Sequence, residues 1–430
     1  MIIPVIAVIA VGGYLFLAEK KVKLPNDNNP VIEKEIAVEK IVSDEKNIEK
    51  ISAESVKTNE SGASTAVIKN AVAQPLKNLE TAVNDCRKSQ DSASCLDEYF
   101  NGYLKISETK KILTELDKLQ TKDSNIRLFC HEIVHAIGRE TLQKTSTISD
   151  SFNACDQTCH SGCYHGAMER FLRGDTGAKF GTTDRSHVNE DELKAKVVSA
   201  CNNNDPVNFR FQCLHGLGHA IVYTLSYNLF KSLSWCVHLK TSWDQSSCWG
   251  GAFMENITAS DKSKRFLSKT DYHFPCSVVE ERYKNDCYVM QTSRMFEMGL
   301  SANQVIEECK KAGSYRLRCM QSLGRDKSND ARAGSHAEVS KICISLNIES
   351  DKNSCVTGVS YALADNTWDG RYVFPFCESF EKDGDKEYCY KVSVNYLKTS
   401  LVVEKSKVLE GCSSFVPASK ICVEEANKLP

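Results

Sequence analysis

Apolar residues recur at helical spacing through most of this chain, from about residue 81 to the C-terminus. Segments such as SANQVIEEC (301–309) and SHAEVSKIC (335–343) begin with Ser, a preferred N-cap residue, and end at a cysteine. A polar turn such as NIESDKN (347–353) follows, and a second cysteine then begins another apolar-periodic segment, such as CVTGVSYALAD (355–365). The pattern predicts pairs of helices, called here helix A and helix B, that are joined by a short turn.

The cysteines fall in pairs that repeat along the chain. First members from Cys201 onward follow one another after 35, 40, 33, 34, 34 and 35 residues. A period near 34 residues is typical of helix-turn-helix repeats stacked into an α-solenoid. The predicted fold is therefore all-α, with roughly ten helical hairpins over residues 81–430 by length over period. A disulfide is expected to join the end of helix A to the start of helix B in each repeat. The nine pairs are Cys86–Cys95, Cys155–Cys163, Cys201–Cys213, Cys236–Cys248, Cys276–Cys287, Cys309–Cys319, Cys343–Cys355, Cys377–Cys389 and Cys412–Cys422.

Twenty cysteines, an even number at regular spacing, predict a disulfide framework formed in an oxidising compartment. The nine pairs leave Cys130 and Cys159, and we expect these two to bond to each other. Such a bond would tie the start of one helix B to the turn before the next. The alternative is a structural zinc site in the segment that contains Cys155, Cys159, His160 and Cys163, which would need free thiolates.

The period and the cysteine pairs together resemble the cysteine-stapled Sel1-like and tetratricopeptide-type repeat proteins found outside the cytoplasm. The resemblance covers residues from about 81 to 430. It implies a scaffold that presents a concave binding face, and therefore a protein or peptide partner on that face.

The N-terminal part of the chain differs from the repeats. Residues 1–18 are almost wholly apolar, at the lower limit of length for a membrane span, and we expect an uncleaved anchor. Residues 19–80 are rich in Lys, Glu, Val, Ile and Ser and predict a flexible or partly helical stalk. Lysines just after residue 18 would favour a cytoplasmic body, whereas the cysteines favour the extracytoplasmic side. Twenty regularly spaced cysteines outweigh three lysines, so an extracytoplasmic location is expected.

The charge of the chain is nearly balanced. The net charge is −2, and 26% of the residues are charged. This balance provides no electrostatic basis for binding nucleic acid or an anionic membrane surface.

Three short phrases between Cys130 and His219 share one design, in which a cysteine comes just before two potential metal ligands at positions i and i+4. On a helix this spacing places both side chains on one face, one turn apart. The histidine content would supply roughly 0.2 His-x3-His pairs by chance, whereas two are present. The predicted ligand pairs are His131 and His135, His165 and Glu169, and His215 and His219.

Alignment on the second cysteine places these pairs in the first turns of helix B in three consecutive repeats, within residues 120–260. Neighbouring helices pack roughly 8–10 Å apart, so the six side chains are expected to converge. Helix N-termini carry positive potential, which favours the neutral imidazole that binds metal. Five histidines and Glu169 suit one or two divalent transition metal ions such as Zn, Fe or Mn. Residues 261–430 hold no such cluster and are expected to be scaffold.

Two further features accompany the ligand pairs. Gly166, Gly216 and Gly218 would weaken a helix, and close backbone approach or ligand access would explain them. The next helix B, which begins at Cys248, offers only Glu255 as a potential ligand.

The segment from His131 to His135 also matches the H-E-x-x-H sequence of zinc metallopeptidases, in which the Glu is a general base. Glu132 is therefore the candidate catalytic residue of a metal-dependent hydrolase or oxidase. The non-catalytic alternative is a binding solenoid whose histidines are buried polar spacers between repeats. An open coordination position facing a pocket would favour an enzyme. The other histidines, expected to be surface or packing residues, are His187, His238, His273 and His336.

Overall fold

The computed structural model describes residues 78–173, 189–202, 205–259 and 262–430. Within these ranges the chain is all-helical and forms no β-strand, as predicted. The twenty α-helices of these ranges are α1 (Leu79–Arg87), α2 (Ser92–Tyr103), α3 (Thr109–Lys122), α4 (Ser124–Thr145), α5 (Ile148–Ala154), α6 (Thr158–Arg173), α7 (Glu190–Ser199), α8 (Val207–Thr224), α9 (Leu229–Cys236), α10 (Ser242–Thr258), α11 (Glu281–Tyr288), α12 (Thr292–Glu297), α13 (Ala302–Lys311), α14 (Arg316–Arg332), α15 (His336–Ile344), α16 (Glu349–Asp365), α17 (Val373–Glu378), α18 (Asp383–Thr399), α19 (Lys405–Phe415) and α20 (Lys420–Asn427).

The N-terminal anchor expected at residues 1–18 lies outside the described residues, and so does all but the last part of the stalk expected at 19–80. Among the helices that the structure does describe, none combines the length and the apolar character that crossing a lipid bilayer requires.

Ten disulfides join the helices, and they connect the ten cysteine pairs expected from the sequence. Nine of them link residues 8 to 12 positions apart, with Cα atoms separated by 5.2–5.8 Å. The tenth, Cys130–Cys159, joins α4 to the start of α6 over a Cα distance of 5.6 Å. No described cysteine is free, so the thiolates that the alternative zinc site needs at Cys155, Cys159 and Cys163 are engaged in disulfides.

The second helix of a pair begins earlier than its cysteine, which corrects the sequence prediction. Cys213 is the seventh residue of α8, and Cys355 is the seventh residue of α16. Residues 349–353, expected as part of a turn, form the first turn of α16, where Glu349 and Asp351 lie close to the N-terminus. Acidic residues are favoured there because the end of the helix carries a partial positive charge.

One cysteine pair departs from the expected helical pattern. Residues 272–278, which contain Cys276, form turns, and the helix α11 follows. Pro275 has no N–H for a helical hydrogen bond, so an A helix ending at Cys276 is disfavoured. The expected N-cap at Ser301 is formed, because its side chain accepts from the N–H of Gln304.

The longer helices pack side by side in chain order. Helices α4, α6, α8 and α10 contact one another in succession, and α14, α16, α18 and α20 do the same. Glycines allow the helices of the first series, α4 to α10, to approach one another closely. A Cβ atom at Gly166 would lie 1.9 Å from the carbonyl oxygen of His135, and a Cβ atom at Gly218 would lie 2.0 Å from the carbonyl oxygen of Cys248. Close backbone approach therefore explains these glycines.

The second half of the chain returns to the first half. Arg332 on α14 donates to the carbonyl oxygen of Arg127 on α4 at 3.3 Å. The amide of Gln157, just before α6, donates to the carbonyl oxygen of Thr367, just after α16, at 3.0 Å. These contacts enclose space between the two series of long helices.

Candidate metal centre

The three ligand pairs lie on the neighbouring helices α4, α6 and α8, and their side chains meet in the interior of the domain. Because α4 and α6 approach closely at Gly166, and α6 and α8 do so at Gly216, whose Cβ would lie 2.9 Å from the Cα of His165, rings on adjacent helices come into contact. His131 is half-buried, and the buried members are His135, His165, Glu169, His215 and His219.

Four of the imidazole rings surround a common point. The ring centroid of His131 lies 4.5, 5.4 and 6.1 Å from those of His135, His165 and His219. The centroid of His135 lies 5.5 Å from that of His165 and 5.2 Å from that of His219, and the last two are 5.2 Å apart. With metal–nitrogen bonds of about 2.0–2.1 Å, four imidazoles around one tetrahedral ion have centroids about 5 Å apart. The ring spacing therefore suits a histidine metal site, in which each set of possible ligand atoms within 4.8 Å of one another contains three residues.

His215 lies beside this group of four rings. Its centroid is 5.1 Å from that of His165 and 5.2 Å from that of His219. Its Nε2 atom lies 3.4 Å from the sulfur of Met254 on α10, and its ring bonds the backbone of Ser247 on the same helix. His215 thus extends the cluster towards α10.

More than one ligand combination is sterically available. Each of three sets has possible ligand atoms that all lie within 4.8 Å of one another. The sets are His131, His135 and His165; His165, His215 and His219; and His135, Glu169 and His219.

Hydrogen bonds orient the two histidines of α4. Nδ1 of His131 lies 2.9 Å from the carbonyl oxygen of Cys159, and Nδ1 of His135 lies 2.7 Å from Oε1 of Glu169. Both partners are acceptors, so Nδ1 carries the hydrogen in each ring and Nε2 is left to bind an ion. The two Nε2 atoms lie 3.0 Å apart, close to the separation of about 3.3 Å between two nitrogens of a tetrahedral site.

An unusual turn presents the carbonyl oxygen of Cys159 to His131. Cys159, His160 and Ser161 have positive φ angles of 54°, 58° and 61° at the start of α6. Such left-handed conformations cost roughly 1–2 kcal/mol per residue for residues other than glycine. The disulfide to Cys130 holds this turn against α4, and strain of this kind is often found at functional sites.

The remaining two members of the four-ring group follow the same arrangement. Nδ1 of His219 lies 2.9 Å from Oε2 of Glu255, and Nε2 of His165 lies 3.0 Å from Oε1 of Gln212. The opposite nitrogens, Nε2 of His219 and Nδ1 of His165, are buried and have no hydrogen-bond partner. A buried polar atom without a partner is costly, and a metal ion between the rings would satisfy both.

Glu169 is held behind His135 by a second charged pair. Its Oε2 accepts from Nη1 of Arg139 at 2.8 Å, and Arg139 also bonds Asp97 on α2 at 2.8–3.2 Å. Burial acts to raise the pKa of Glu169, but His135 and Arg139 outweigh it and lower that pKa to about 2. Glu169 is therefore ionised, and in this arrangement it supports His135 from behind, although it was expected from the sequence to be a direct ligand.

Four of the clustered histidines, His131, His165, His215 and His219, are held in the neutral form that binds metal. Burial, followed by the proximity of His135, lowers the pKa of His131 to about 3 and that of His215 to about 4. Burial lowers the pKa of His165 and of His219 well below the usual value. From the sequence, the positive potential of a helix N-terminus was expected to keep the histidines neutral. This explanation is wrong for α4, because His131 is the eighth residue of that helix and lies beyond its first turn.

Glu132 faces a small cavity of about 70 Å³ beside the cluster, together with His131, His135, Tyr223 and Glu255. Burial raises the pKa of Glu132. Burial, with the nearby carboxyls of Glu169 and Glu132, raises the pKa of Glu255 to about 8. Two carboxyl groups with raised pKa values thus line one side of the histidines.

Two larger spaces flank the cluster. A groove of about 810 Å³ shares Glu132 and Tyr223 with the small cavity and continues between α1, α2 and the segment after α10. A cavity of about 390 Å³ on the other side is lined by His131, His165 and His215 and by residues of α14, α16 and α18. The histidine cluster therefore lies between two accessible spaces.

The other described histidines lie outside the four-ring group. His238 is exposed and packs edge-on against Trp235, and His336 is half-buried. His273 is half-buried and contacts Glu308 and Tyr288 at 3.3 Å. His160 lies near the group, 6.4 Å from His131 between ring centroids, and contacts Asn366. His187 falls outside the described residues.

Several supporting residues were missed by sequence reasoning. Arg139 follows His135 by four positions, so an extension of the i, i+4 series of α4 by one step would have found it. Glu255 follows a Gly-Ala segment as Glu169 does, and it was noted only as an isolated acid. Asp97 and Gln212 had no sequence pattern that connects them to the histidines.

Comparison of the chain with protein-family models, with curated proteins and with solved structures gives no match. The resemblance to Sel1-like and tetratricopeptide-type repeats therefore rests on period and cysteine spacing alone. Fold and site together define a disulfide-rich helical protein with a buried histidine cluster. The chemistry of these residues is the basis on which a function can be assigned.

Proposed function

We propose that the protein binds a divalent transition metal ion, of the Zn, Fe or Mn kind, through His131, His135, His165 and His219. One observation carries the proposal: each of these rings has one nitrogen hydrogen-bonded to a partner behind it, and the nitrogens left over belong to rings that surround one point. Metal-binding histidines are commonly oriented in this way by carboxylates, carbonyls or amides.

The same observation weighs against histidines that serve only as polar spacers between helices. A bridging imidazole uses both nitrogens, because an unsatisfied buried nitrogen costs roughly 1–3 kcal/mol. His165 and His219 each leave one nitrogen without a partner. An ion at this point accounts for both at once.

A hydrolytic enzyme is the candidate activity that the surroundings favour. Glu132 faces the same small cavity as His131 and His135, and in an H-E-x-x-H site the Glu accepts the proton of the attacking water. That proton would then pass to the leaving group as the scissile bond breaks. The long groove beside Glu132 suits an extended substrate such as a peptide, as the metallopeptidase alternative requires. Oxidation at the metal is the second chemistry that such a site would support.

We further propose that the helical domain is an α-solenoid that acts on the extracytoplasmic side of a membrane, anchored by residues 1–18. Ten disulfides support an oxidising compartment. The non-catalytic alternative remains a solenoid that binds a protein or peptide, with the metal as a structural element. Protease treatment of intact cells that produce the protein tests the location: protection of the domain would contradict it.

Metal analysis of the full chain, produced under oxidising conditions, tests the metal proposal. We expect about one equivalent of a transition metal in the wild type, by ligand count, and its loss in His135→Ala and His219→Ala. His238→Ala, at an exposed histidine, is the matched control and should retain the metal. Unchanged metal content in the first two variants, with helical circular dichroism preserved, would show that the histidines only pack.

Glu132→Gln tests catalysis separately. If Glu132 is the general base, this variant should keep the metal and lose about 10²–10⁴-fold in turnover of a peptide substrate. Full activity of Glu132→Gln would exclude that role and leave metal binding untouched.

A further inference from the structure

The cavity of about 390 Å³ lies between α4, α6 and α8 on one side and α14, α16 and α18 on the other. Its volume falls within the range of small-molecule sites, about 300–1,000 Å³. The contacts between the second and the first half of the chain form one wall of this cavity. Its lining includes histidines of the cluster and two arginines of α14, Arg325 and Arg332.

Arg332 is a half-buried cation with no described carboxylate in ion-pair distance. Its guanidinium donates to Oδ1 of Asn366 at 2.6 Å, to the carbonyl oxygen of Arg127 at 3.3 Å and to Oδ1 of Asn329 at 3.4 Å. All three acceptors are neutral, and the Nε–H group has no partner. Burial lowers the pKa of Arg332 to about 10, and the charge of Asp117, which makes no ion pair with it, only partly opposes this shift.

A fully buried arginine near the cluster, Arg139, has different partners. Arg139 bonds two carboxylates, Asp97 and Glu169, so its charge is fully compensated inside the protein. A buried charge without such a partner carries a large desolvation penalty. The contrast indicates that Arg332 is left available for an anion that enters the cavity.

Arg325 is the second basic group of the cavity. It pairs with Asp326 at 2.7 Å and donates to the hydroxyl group of Ser293 at 2.6 Å and to the carbonyl oxygen of Met290 at 3.4 Å, whereas its Nε–H group has no partner. Asp326 is also satisfied by the hydroxyl groups of Thr292 and Ser293 at 2.6 and 2.8 Å. Arg325 therefore keeps donor capacity beyond its ion pair.

Both arginines lie close to the histidine cluster. Arg332 is linked through Asn366 to His160, whose ring faces His131. Arg325 lines the same cavity as His165 and His215. An anion held by these arginines would thus lie beside the histidines.

We infer that this cavity binds a small organic anion, with a carboxylate or phosphate group held by Arg332 and Arg325. Guanidinium groups match both oxyanions with paired hydrogen bonds. The stacked rings of Tyr361 and Tyr396, 4.0 Å apart between centroids, line the same cavity and offer a flat wall to the organic part of the ligand. Anion binding itself does not depend on the metal; that the anion is also the substrate rests on the proposed function.

Calorimetric titration of the chelator-treated full chain with inorganic phosphate and with acetate tests the inference and separates the two oxyanions. We expect binding of at least one, weakened at least tenfold in Arg332→Gln and in Arg325→Gln. Arg318→Gln, at an exposed arginine of the same helix that does not line the cavity, should bind as the wild type does.

Absence of binding by the wild type to both anions would overturn the inference, and so would equal affinity in all three arginine variants. If the Arg332→Gln variant does not fold, the anion affinity of Arg325→Gln, compared with the wild type and with Arg318→Gln, tests the inference by itself. His219→Ala should still bind the anion. Retained anion binding by a wild-type protein that takes up no metal would refute the metal proposal and leave this inference standing.

Discussion

Gly166 on α6 touches the backbone of His135 on α4, so that a Cβ at this glycine would lie 1.9 Å from the carbonyl oxygen of His135. Gly166→Ala must therefore push the two helices apart. We expect a loss of about 1–3 kcal/mol in the free energy of unfolding and reduced metal content, because His135 and His165 lie on the separated helices. Denaturant unfolding and metal analysis measure the two effects.

The control for this substitution is Gly384→Ala near the start of α18, where an added Cβ meets nothing within 4 Å. Alanine is favoured over glycine in a helix by up to about 1 kcal/mol, so this variant should be as stable as the wild type or slightly more stable. A Gly166→Ala protein with wild-type stability would mean that the helices do not pack this closely.

Arg139 should influence the metal site without being a ligand. Arg139→Gln removes the donor that fixes Glu169 behind His135, and loss of such support typically lowers metal affinity by about 10–100-fold. Competition with a chromophoric chelator measures the affinity. Arg170→Gln, which disturbs the pair with Glu140 instead, is the matched control, and equal affinities in the two variants would contradict this role.

The Cys130–Cys159 disulfide is predicted to matter for the site as well as for stability. Replacing both cysteines by serine frees the turn whose carbonyl oxygen accepts from His131. We expect a loss of about 2–4 kcal/mol in stability together with weaker metal binding. The pair Cys412–Cys422 near the C-terminus provides the comparison: its removal should lower stability and leave metal affinity unchanged.

Asp365 should make stability depend on pH. Its carboxyl group accepts from the hydroxyl group of Tyr396 at 2.9 Å, and burial raises its pKa to about 7. The folded protein thus keeps a proton that the unfolded chain releases near pH 4. Stability from this group is full below about pH 4 and is lost as pH rises through about 7.

Asp365→Asn should remove this dependence. The variant is expected to match the wild type near pH 4 and to exceed its stability at pH 8, by up to about 4 kcal/mol. Urea unfolding at several pH values measures the difference. Tyr396→Phe, which deletes a hydrogen bond that lowers this pKa, should move the loss of stability to higher pH. An unchanged pH profile in Asp365→Asn would contradict the assignment.

Much of the fold could be predicted from local patterns in the sequence. The spacing of cysteines anticipated the disulfides because each bond lies within one helical pair or between neighbours. The i, i+4 spacing and the alignment on the second cysteine anticipated that His131 and His165 would meet, because equivalent positions on adjacent helices face one another.

Features that depend on distant packing could not be predicted in this way. The contacts of Arg332 with Arg127 and of Gln157 with Thr367 join residues more than 200 positions apart, so they depend on the relative orientation of all the helices between them. No local pattern fixes this orientation. The left-handed turn at Cys159 also had no sequence indication, because its residues rarely adopt positive φ.

The connectivity of the disulfides bears on how the protein is made. Eight of the ten bonds join cysteines that are consecutive in the chain, so oxidation in the order of synthesis produces them directly. The same order would join Cys130 to Cys155 and Cys159 to Cys163, whereas the native bonds are Cys130–Cys159 and Cys155–Cys163. Thiol–disulfide exchange is therefore needed at this point alone among the ten. Under that order of oxidation, α4 and α6, which carry His131, His135 and His165, would be the last to reach their native pairing, and their maturation would depend on an isomerase.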